Sequence, residues 1–265
     1  MTAHGDRFAI IGGGFIGSEL AASLAAIGKH PVLIFPGDAI GGRMYPPELA
    51  GYLNGLYSEK GVEVMSGTKV TGCERRGNQF VLQVTDGTGG SQRDVTVDGV
   101  VAGVGVEPNV ELAQAAGLVV DDGIRVGASL CTNDPNIYAA GDIASSYDVS
   151  LGKWRRVEHA DNASVMGGYA GVAMSGRAVA YDHLPFFYSD FFDLGYEAIG
   201  EVDSRLQMVA DWKVKFREGV VYYLRDGRVR GVLLWNVWGQ LDAARRLVAA
   251  PEVLRAEDLV GRLAM

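Results

Sequence analysis

Three glycines at the spacing Gly12-x-Gly14-x-x-Gly17 follow the apolar run Phe8 to Ile11, and after them Leu20, Leu24 and Ile27 recur at helical spacing until Gly28. This is a strand, a tight turn carrying Phe15 and Ile16, and a helix. In that setting the first glycine makes the turn, the second lets a pyrophosphate approach the backbone, and the third lets helix and strand pack. The positive helix N-terminus attracts the negative charge. The motif in this context predicts dinucleotide binding rather than a turn that serves packing alone.

The acid that reads a ribose at the end of the second strand, about 20 residues further on, is missing, and Phe35-Pro36 stands there. Asp38 is the available substitute, although it equally suits the start of a turn. Arg43 alone is near enough to meet a 2′-phosphate, so NAD(H) is expected rather than its phosphorylated form. A second constellation is Gly141-Asp142, where an aspartate emerges from the run Tyr138-Ala139-Ala140. By itself it reads equally as a strand end and helix cap. Downstream, Arg155 to Asn162, with Glu158 and His159, places titratable groups at the start of a helix, where an electron-rich ligand would be stabilised. His159 alone would be an ordinary structural histidine.

The elements that must carry these residues begin with a βαβαβ unit. Its further strands are Pro31 to Phe35 and Val62 to Met65, with a helix over Pro46 to Lys60. From Thr68 to Val97 the pattern predicts an antiparallel meander with Gly-rich turns such as Asp86 to Gly90. A buried strand over Gly99 to Val106, a short helix over Asn109 to Ala116 and a strand over Ile137 to Ala140 follow. The helix His159 to Ser175 is rich in small residues, including Gly167, Gly168 and Gly171. Glycine costs a helix about 1 kcal/mol against alanine, so these predict close approach of another backbone or a flat ligand. Val220 to Arg225, Asp226-Gly227 and Arg228 to Trp235 read as a type I′ hairpin, with a closing helix over Gln240 to Ala249.

Composition narrows the partners. The 265 residues are 48% hydrophobic and 21% charged, as in globular proteins, and exclude disorder and collagen-like structure. A net charge of −8 repels phosphate backbones and anionic lipid, so neither nucleic acid nor membrane is an expected partner. Cys73 and Cys131 form no paired motif, which leaves no zinc or dithiol centre spelled out and predicts two buried thiols. The start MTAHGDR lacks an apolar leader, and no run reaches the roughly 18 apolar residues of a span, so a cytoplasmic location is expected.

The stretches FAIIGGGFIGSELAASL, VAGVGVEPNVELAQAAGL, IYAAGDIASSYDVSLGKWRRVEHADNASVMGGYAGVAMSG and GVVYYLRDGRVRGVLLWNVWGQLDAARRLV resemble the apoptosis-inducing-factor-like pyridine-nucleotide-linked flavoprotein reductases. The likeness is collinear from Phe8 to about Val248. It implies NADH and FAD as cofactors, with Gly12, Gly14 and Gly17 as the NADH pyrophosphate loop and Glu19 beside the nicotinamide. Gly105 would line the same site. Asp142, next to Gly141, would accept hydrogen bonds from the FAD ribityl and pyrophosphate region. Glu158 and His159 would lie near the flavin ring with the aromatics Phe187 and Tyr188. Glu19, Glu158 and His159 are thus the expected catalytic groups. The family usually shows tryptophan where Tyr188 stands, so flavin stacking is expected to differ.

The resemblance also implies a FAD domain built from two segments, the first carrying its own G-x-G-x-x-G and a basic residue near flavin N5. One such fingerprint occurs in the 265 residues. The chain is therefore expected to be a fragment or split subunit. Its divisions would be an NAD(H)-binding Rossmann-like domain over 1–118, the second segment of a split FAD-binding domain over 119–178, and an α+β C-terminal domain over 179–265. The expected activity is NADH-dependent flavoprotein reduction, passing electrons to an unnamed acceptor, with FAD held when a complementary FAD-segment polypeptide is supplied. A homodimer is one option for assembly. The alternative is a non-catalytic NAD(H)-sensing or partner-binding module that has lost FAD.

Overall fold

Short apolar runs bounded by glycine become the buried strands of a parallel sheet in the computed structural model, which describes residues 5–87 and 90–263. Contacts divide the chain into two compact units. One contains the chain up to Gly105 with Ser189–Gly195 and Asp203–Arg205; the other contains Val106–Tyr188, Tyr196–Val202 and the chain from Leu206 onward.

In the first unit β1 (Arg7–Ile11) leads to α1 (Phe15–Ala26), β2 (His30–Ile34), α2 (Pro47–Glu59) and β3 (Glu63–Met65). The meander follows as β4 (Thr68–Arg76), β5 (Gln79–Asp86) and β6 (Gln92–Val97), and β7 (Gly99–Ala102) returns to the first sheet. That sheet has the order β3-β2-β1-β7, with every pair parallel. Ala9, Val32 and Ile34 of the parallel sheet share one core with Leu82, Val84, Val95 and Val97 of the meander. Burial of the valine, leucine and isoleucine side chains among them, worth about 1.5–3 kcal/mol each, holds the two sheets together.

The second unit contributes α3 (Glu111–Ala115), β8 (Val120–Asp121), β9 (Gly123–Arg125), β10 (Ala144–Asp148), β11 (Lys153–Arg156) and α4 (Ala160–Met174). Next come β12 (Phe186–Phe191), β13 (Leu194–Gly200), β14 (Gln207–Val214), β15 (Glu218–Arg225), β16 (Arg228–Trp235) and α5 (Leu241–Ala249). The last five strands form one sheet ordered β12-β13-β16-β15-β14, parts of β12 and β13 belonging to the first unit by contacts. Asp226 and Gly227 have φ of 53° and 73°, the left-handed pair that a type I′ turn needs. Ala244, Leu247 and Val248 of α5 join Val220, Tyr222, Val232 and Leu234 in a common core.

Several expectations are corrected. Residues 137–140 form no strand: Tyr138 makes one isolated bridge to Cys131, and the chain then turns at Gly141 into a short 3-10 helix, Gly141–Ile143. The strand expected over 99–106 ends at Ala102, where its partner β1 ends at Ile11 and the pairing stops. The thiols are not both buried. Cys73 is exposed and Cys131 half-buried. A bulge at Val70–Gly72 shifts the register of β4, and Cys73 to Arg76 after it are exposed. A Cβ on Gly167, Gly168 or Gly171 of α4 would meet no atom within 4 Å beyond the adjoining backbone of its own helix, so the close approach of another backbone is not made by the described residues. Thr88 and Gly89 of the expected Gly-rich turn lie outside the described residues, as do residues 1–4. Among the described residues no helix is long and apolar enough to cross a membrane.

Leu234 is almost wholly buried at the heart of the hairpin core. Leu234→Ala is expected to cost about 2–5 kcal/mol, read by urea unfolding of the purified chain; a loss below 1 kcal/mol, an approximate floor for a cavity of this kind, would contradict the packing described.

Candidate dinucleotide and flavin site residues

The glycine turn shows three different surroundings. A Cβ on Gly12, whose φ is 115°, would lie 2.2 Å from the carbonyl oxygen of Gly103. A Cβ on Gly17 would lie 1.8 Å from the carbonyl oxygen of Gly12. Gly14, the N-cap of α1, has nothing within 4 Å of that position and is exposed. Among the described residues no side chain caps α1, and no acid occupies its first turn. The positive end of α1 thus suits an anion, with Phe15 and Ile16 exposed beside it.

Phe35 is buried, and its ring lies where a Cβ on Gly13 would meet it at 2.7 Å. Asp38 is exposed. Its backbone carbonyl accepts from Asn54 Nδ2 at 2.9 Å, while Asn54 Oδ1 accepts from the Ile40 N–H at 3.0 Å. Asn54, on α2, thereby clamps the 38–40 loop. It is a residue that sequence reasoning missed, since one asparagine in a helix carries no motif. The Gly41 N–H donates to the Gly13 carbonyl at 2.9 Å and ties the same loop to the glycine turn. Arg43 is exposed beyond it, and Gly105 is open, with no atom within 4 Å of a Cβ position. Glu19, in the second turn of α1, is half-buried and accepts the Ser189 hydroxyl at 2.5 Å.

In the second unit the structure brings together Glu158, His159 and Phe187. Arg156 donates to Glu158, to Asp122 at 2.9 Å and to the Asp142 backbone carbonyl at 3.0 Å, which fixes the short 3-10 helix that carries Asp142. The Asp142 side chain itself is directed to solvent. His159 stands at the N-cap position of α4 and stacks on Phe187, with centroids 4.5 Å apart and planes 16° from parallel. Tyr188, the next residue on β12, stacks with Phe186 instead and is exposed, as strand alternation requires. The base of α4 is held by Asp161, which accepts from the Phe186 N–H at 3.1 Å and contacts His183 Nε2 at 2.6 Å. Its neighbour Asn162 donates to the Val157 carbonyl and accepts the buried Tyr181 hydroxyl at 2.7 Å.

Residues 2–167 match the family model described as pyridine nucleotide-disulphide oxidoreductase. The chain belongs to the pyridine nucleotide-disulphide oxidoreductase family. Residues 170–215 and 209–250 match a second model, the C-terminal domain of apoptosis-inducing factor, mitochondrion-associated. Among relatives of this family member, the ferredoxin–NAD(+) reductase component of the anthranilate 1,2-dioxygenase system of Burkholderia cepacia is 35% identical, covering 94% of the chain and 61% of the relative. Apoptosis-inducing factor 1 of Dictyostelium discoideum is 33% identical, with 96% and 50% covered. The ferredoxin reductase for the CYP199A2 system of Rhodopseudomonas palustris superposes with a TM-score of 0.85 at 30% identity, over 96% of this chain and 62% of that one. The chain thus spans about half to three fifths of the length of these relatives. Both the Rossmann-like fold class and the apoptosis-inducing-factor-like resemblance are borne out.

Burial lowers the His159 imidazole below its ordinary value of 6.5; Arg155 adds to this, while Asp142, Glu158 and Asp161 oppose it. The unfolded chain therefore binds the proton more readily than the folded one. Stability supplied by neutral His159 is present above pH 6.5 and is lost as pH falls below it. His159→Gln is expected to flatten the decline of unfolding free energy below pH 6.5, and an unchanged slope would contradict the assignment.

Proposed function

We propose that the chain carries the NAD(H) module and one side of the flavin site of an NADH-dependent FAD oxidoreductase of the apoptosis-inducing-factor-like type. The observation that carries this reading is the contrast among the three glycines. Two are closed off by backbone, and the middle one, Gly14, opens to solvent at an uncapped helix N-terminus. That is the cradle a pyrophosphate needs, so these residues fit the dinucleotide. Gly12, Gly14 and Gly17, with Phe15 and Ile16, would hold the pyrophosphate; the loop of Phe35 and Asp38 would face the ribose; and Glu19 and Gly105 would border the nicotinamide.

On the flavin side, Gly141 and Asp142 would receive the ribityl and phosphate region, and Glu158, His159, Phe187 and Tyr188 the ring. The residues fit a flat aromatic group: a neutral imidazole stacked on Phe187 and an exposed tyrosine give apolar faces, and the exposed glycines of α4 leave room for further backbone. Bound together, the two cofactors supply hydride transfer, while the chain binds, orients and excludes water. In this reading residues 1–118 are the NAD(H) module, 119–178 the second FAD segment and 179–265 the C-terminal domain. The names of the Burkholderia and Rhodopseudomonas relatives make a ferredoxin the first acceptor to test.

Gly14→Val is expected to weaken NADH binding by about 100-fold or more, because the side chain fills the pyrophosphate position, with the thermal midpoint unchanged. Fluorescence titration of the purified chain measures this, and unaltered affinity would overturn the dinucleotide assignment. Adding a polypeptide that carries the ADP-binding FAD segment of a relative is expected to raise flavin retention, read as yellow absorbance on gel filtration. NADH binding without any flavin retention from a well-folded segment would favour a non-catalytic NAD(H)-sensing module instead.

A further inference from the structure

Ser189 is 1% exposed and lies in the short stretch Ser189–Gly195, which packs with the first unit although it is 170 residues from Glu19 in sequence. Its hydroxyl donates to Glu19 Oε1 at 2.5 Å, the short distance of a hydrogen bond to a carboxylate. Among the described residues the Glu19 carboxylate makes no other hydrogen bond. A second attachment fixes the same stretch from the side. The Tyr57 hydroxyl donates to the Ser18 carbonyl at 3.2 Å, one residue before Glu19. The Tyr57 ring meets Phe191 at 5.9 Å and Phe192 edge-on at 5.0 Å. Phe192 takes a φ of 54°, a costly backbone conformation for an aromatic residue, and so reaches Tyr57 only because the packing holds it there.

Helix, aromatic anchor and serine therefore form one closed circuit: Ser18 to Tyr57, Tyr57 to Phe191 and Phe192, and back along the strand to Ser189 and Glu19. A half-buried glutamate has several rotamers, and losing that freedom on binding a ligand costs affinity. The circuit removes the freedom beforehand. It spends one carboxylate oxygen on Ser189 and leaves Oε2 to accept from an N–H donor such as a nicotinamide carboxamide. We propose that Ser189 is a positioning residue for the Glu19 carboxylate in the NAD(H) module, a role that rests on the proposed function and adds a residue to it.

The test is a double-mutant cycle on the full chain, with NADH affinity as the readout and thermal midpoint as the control for folding. Ser189→Ala is expected to weaken NADH binding about tenfold, the usual scale for a hydrogen bond to a charged group. In a Glu19→Ala background the same change is expected to have no further effect, because the partner it positions is gone. A hydroxyl that serves the fold alone would weaken binding by the same factor in both backgrounds, and that result overturns the role. So does a Ser189→Ala affinity equal to the parent's while Gly14→Val and Glu19→Ala both weaken binding. If Ser189→Ala unfolds, Ser189→Cys keeps the volume with a weaker donor. A loss seen with Glu19 present and absent in Glu19→Ala supports the role, and no loss overturns it. Unaltered NADH affinity in Gly14→Val would instead remove the proposed function itself, and this role with it.

Discussion

At the head of α1 three stretches of main chain meet with no side chain between them. The carbonyl oxygen of Gly12 occupies the place a Cβ on residue 17 would need, and the carbonyl oxygen of Gly103 the place a Cβ on residue 12 would need. The Gly12 N–H donates to Ile34 and the Gly103 N–H to Ile11, both at 2.8 Å, so the ends of β1, β2 and β7 are drawn to one point. A methyl group at either blocked glycine would push helix from strand by an ångström or more. With that contact made, the direction of α1 is settled. Gly14 is then left facing solvent, and Glu19 is carried to the flank where Ser189 meets it.

Phe35 shows how the same turn is supported when the ribose-reading acid is absent. Its ring fills the space beside Gly13, so the position gives apolar backing to the turn. A carboxylate in place of that ring would be desolvated at a buried position, which is costly without a partner. In the proposed reading polar recognition falls to the 36–43 loop, and that loop has its own restraints: both ends of the Asn54 amide on the 38–40 backbone, and the Gly41 N–H on the Gly13 carbonyl. The turn and the loop are therefore a single hydrogen-bonded object, and a ribose bound to one would report on the other.

The parallel sheet, the meander and the C-terminal hairpin were legible in the sequence because each rests on local rules: alternation at period two, recurrence near 3.6, and a turn pair able to take positive φ. The strand expected over 137–140 was not. An apolar run specifies burial, but a strand also needs a partner, and Tyr138 finds a single bridge. Burial of Cys73 failed for a similar reason, since a bulge in β4 is written in the pairing of two strands. At the site, glycine spacing could be read directly. Ser189, Asn54 and Tyr57 could not, because a serine, an asparagine and a tyrosine are common, and their meaning lies in partners 170, 14 to 16 and 39 residues away.

The glycines of α4 pose a question of energy that its own contacts do not answer. Gly167, Gly168 and Gly171 together cost the helix about 3 kcal/mol against alanine, and a Cβ on any of them would find no atom within 4 Å beyond the adjoining backbone of its own helix. The helix is held from its other side and its base: Met166, Ala170 and Ala173 are buried, and Asp161 and Asn162 tie the first turn to Phe186, His183, Val157 and Tyr181. Those ties offset the cost and leave the glycine face smooth. A smooth face on a firmly anchored helix permits backbone to approach backbone, as Gly17 does at α1. The sequence thus accepts a weaker helix at the place where the proposed flavin site calls for another layer of chain.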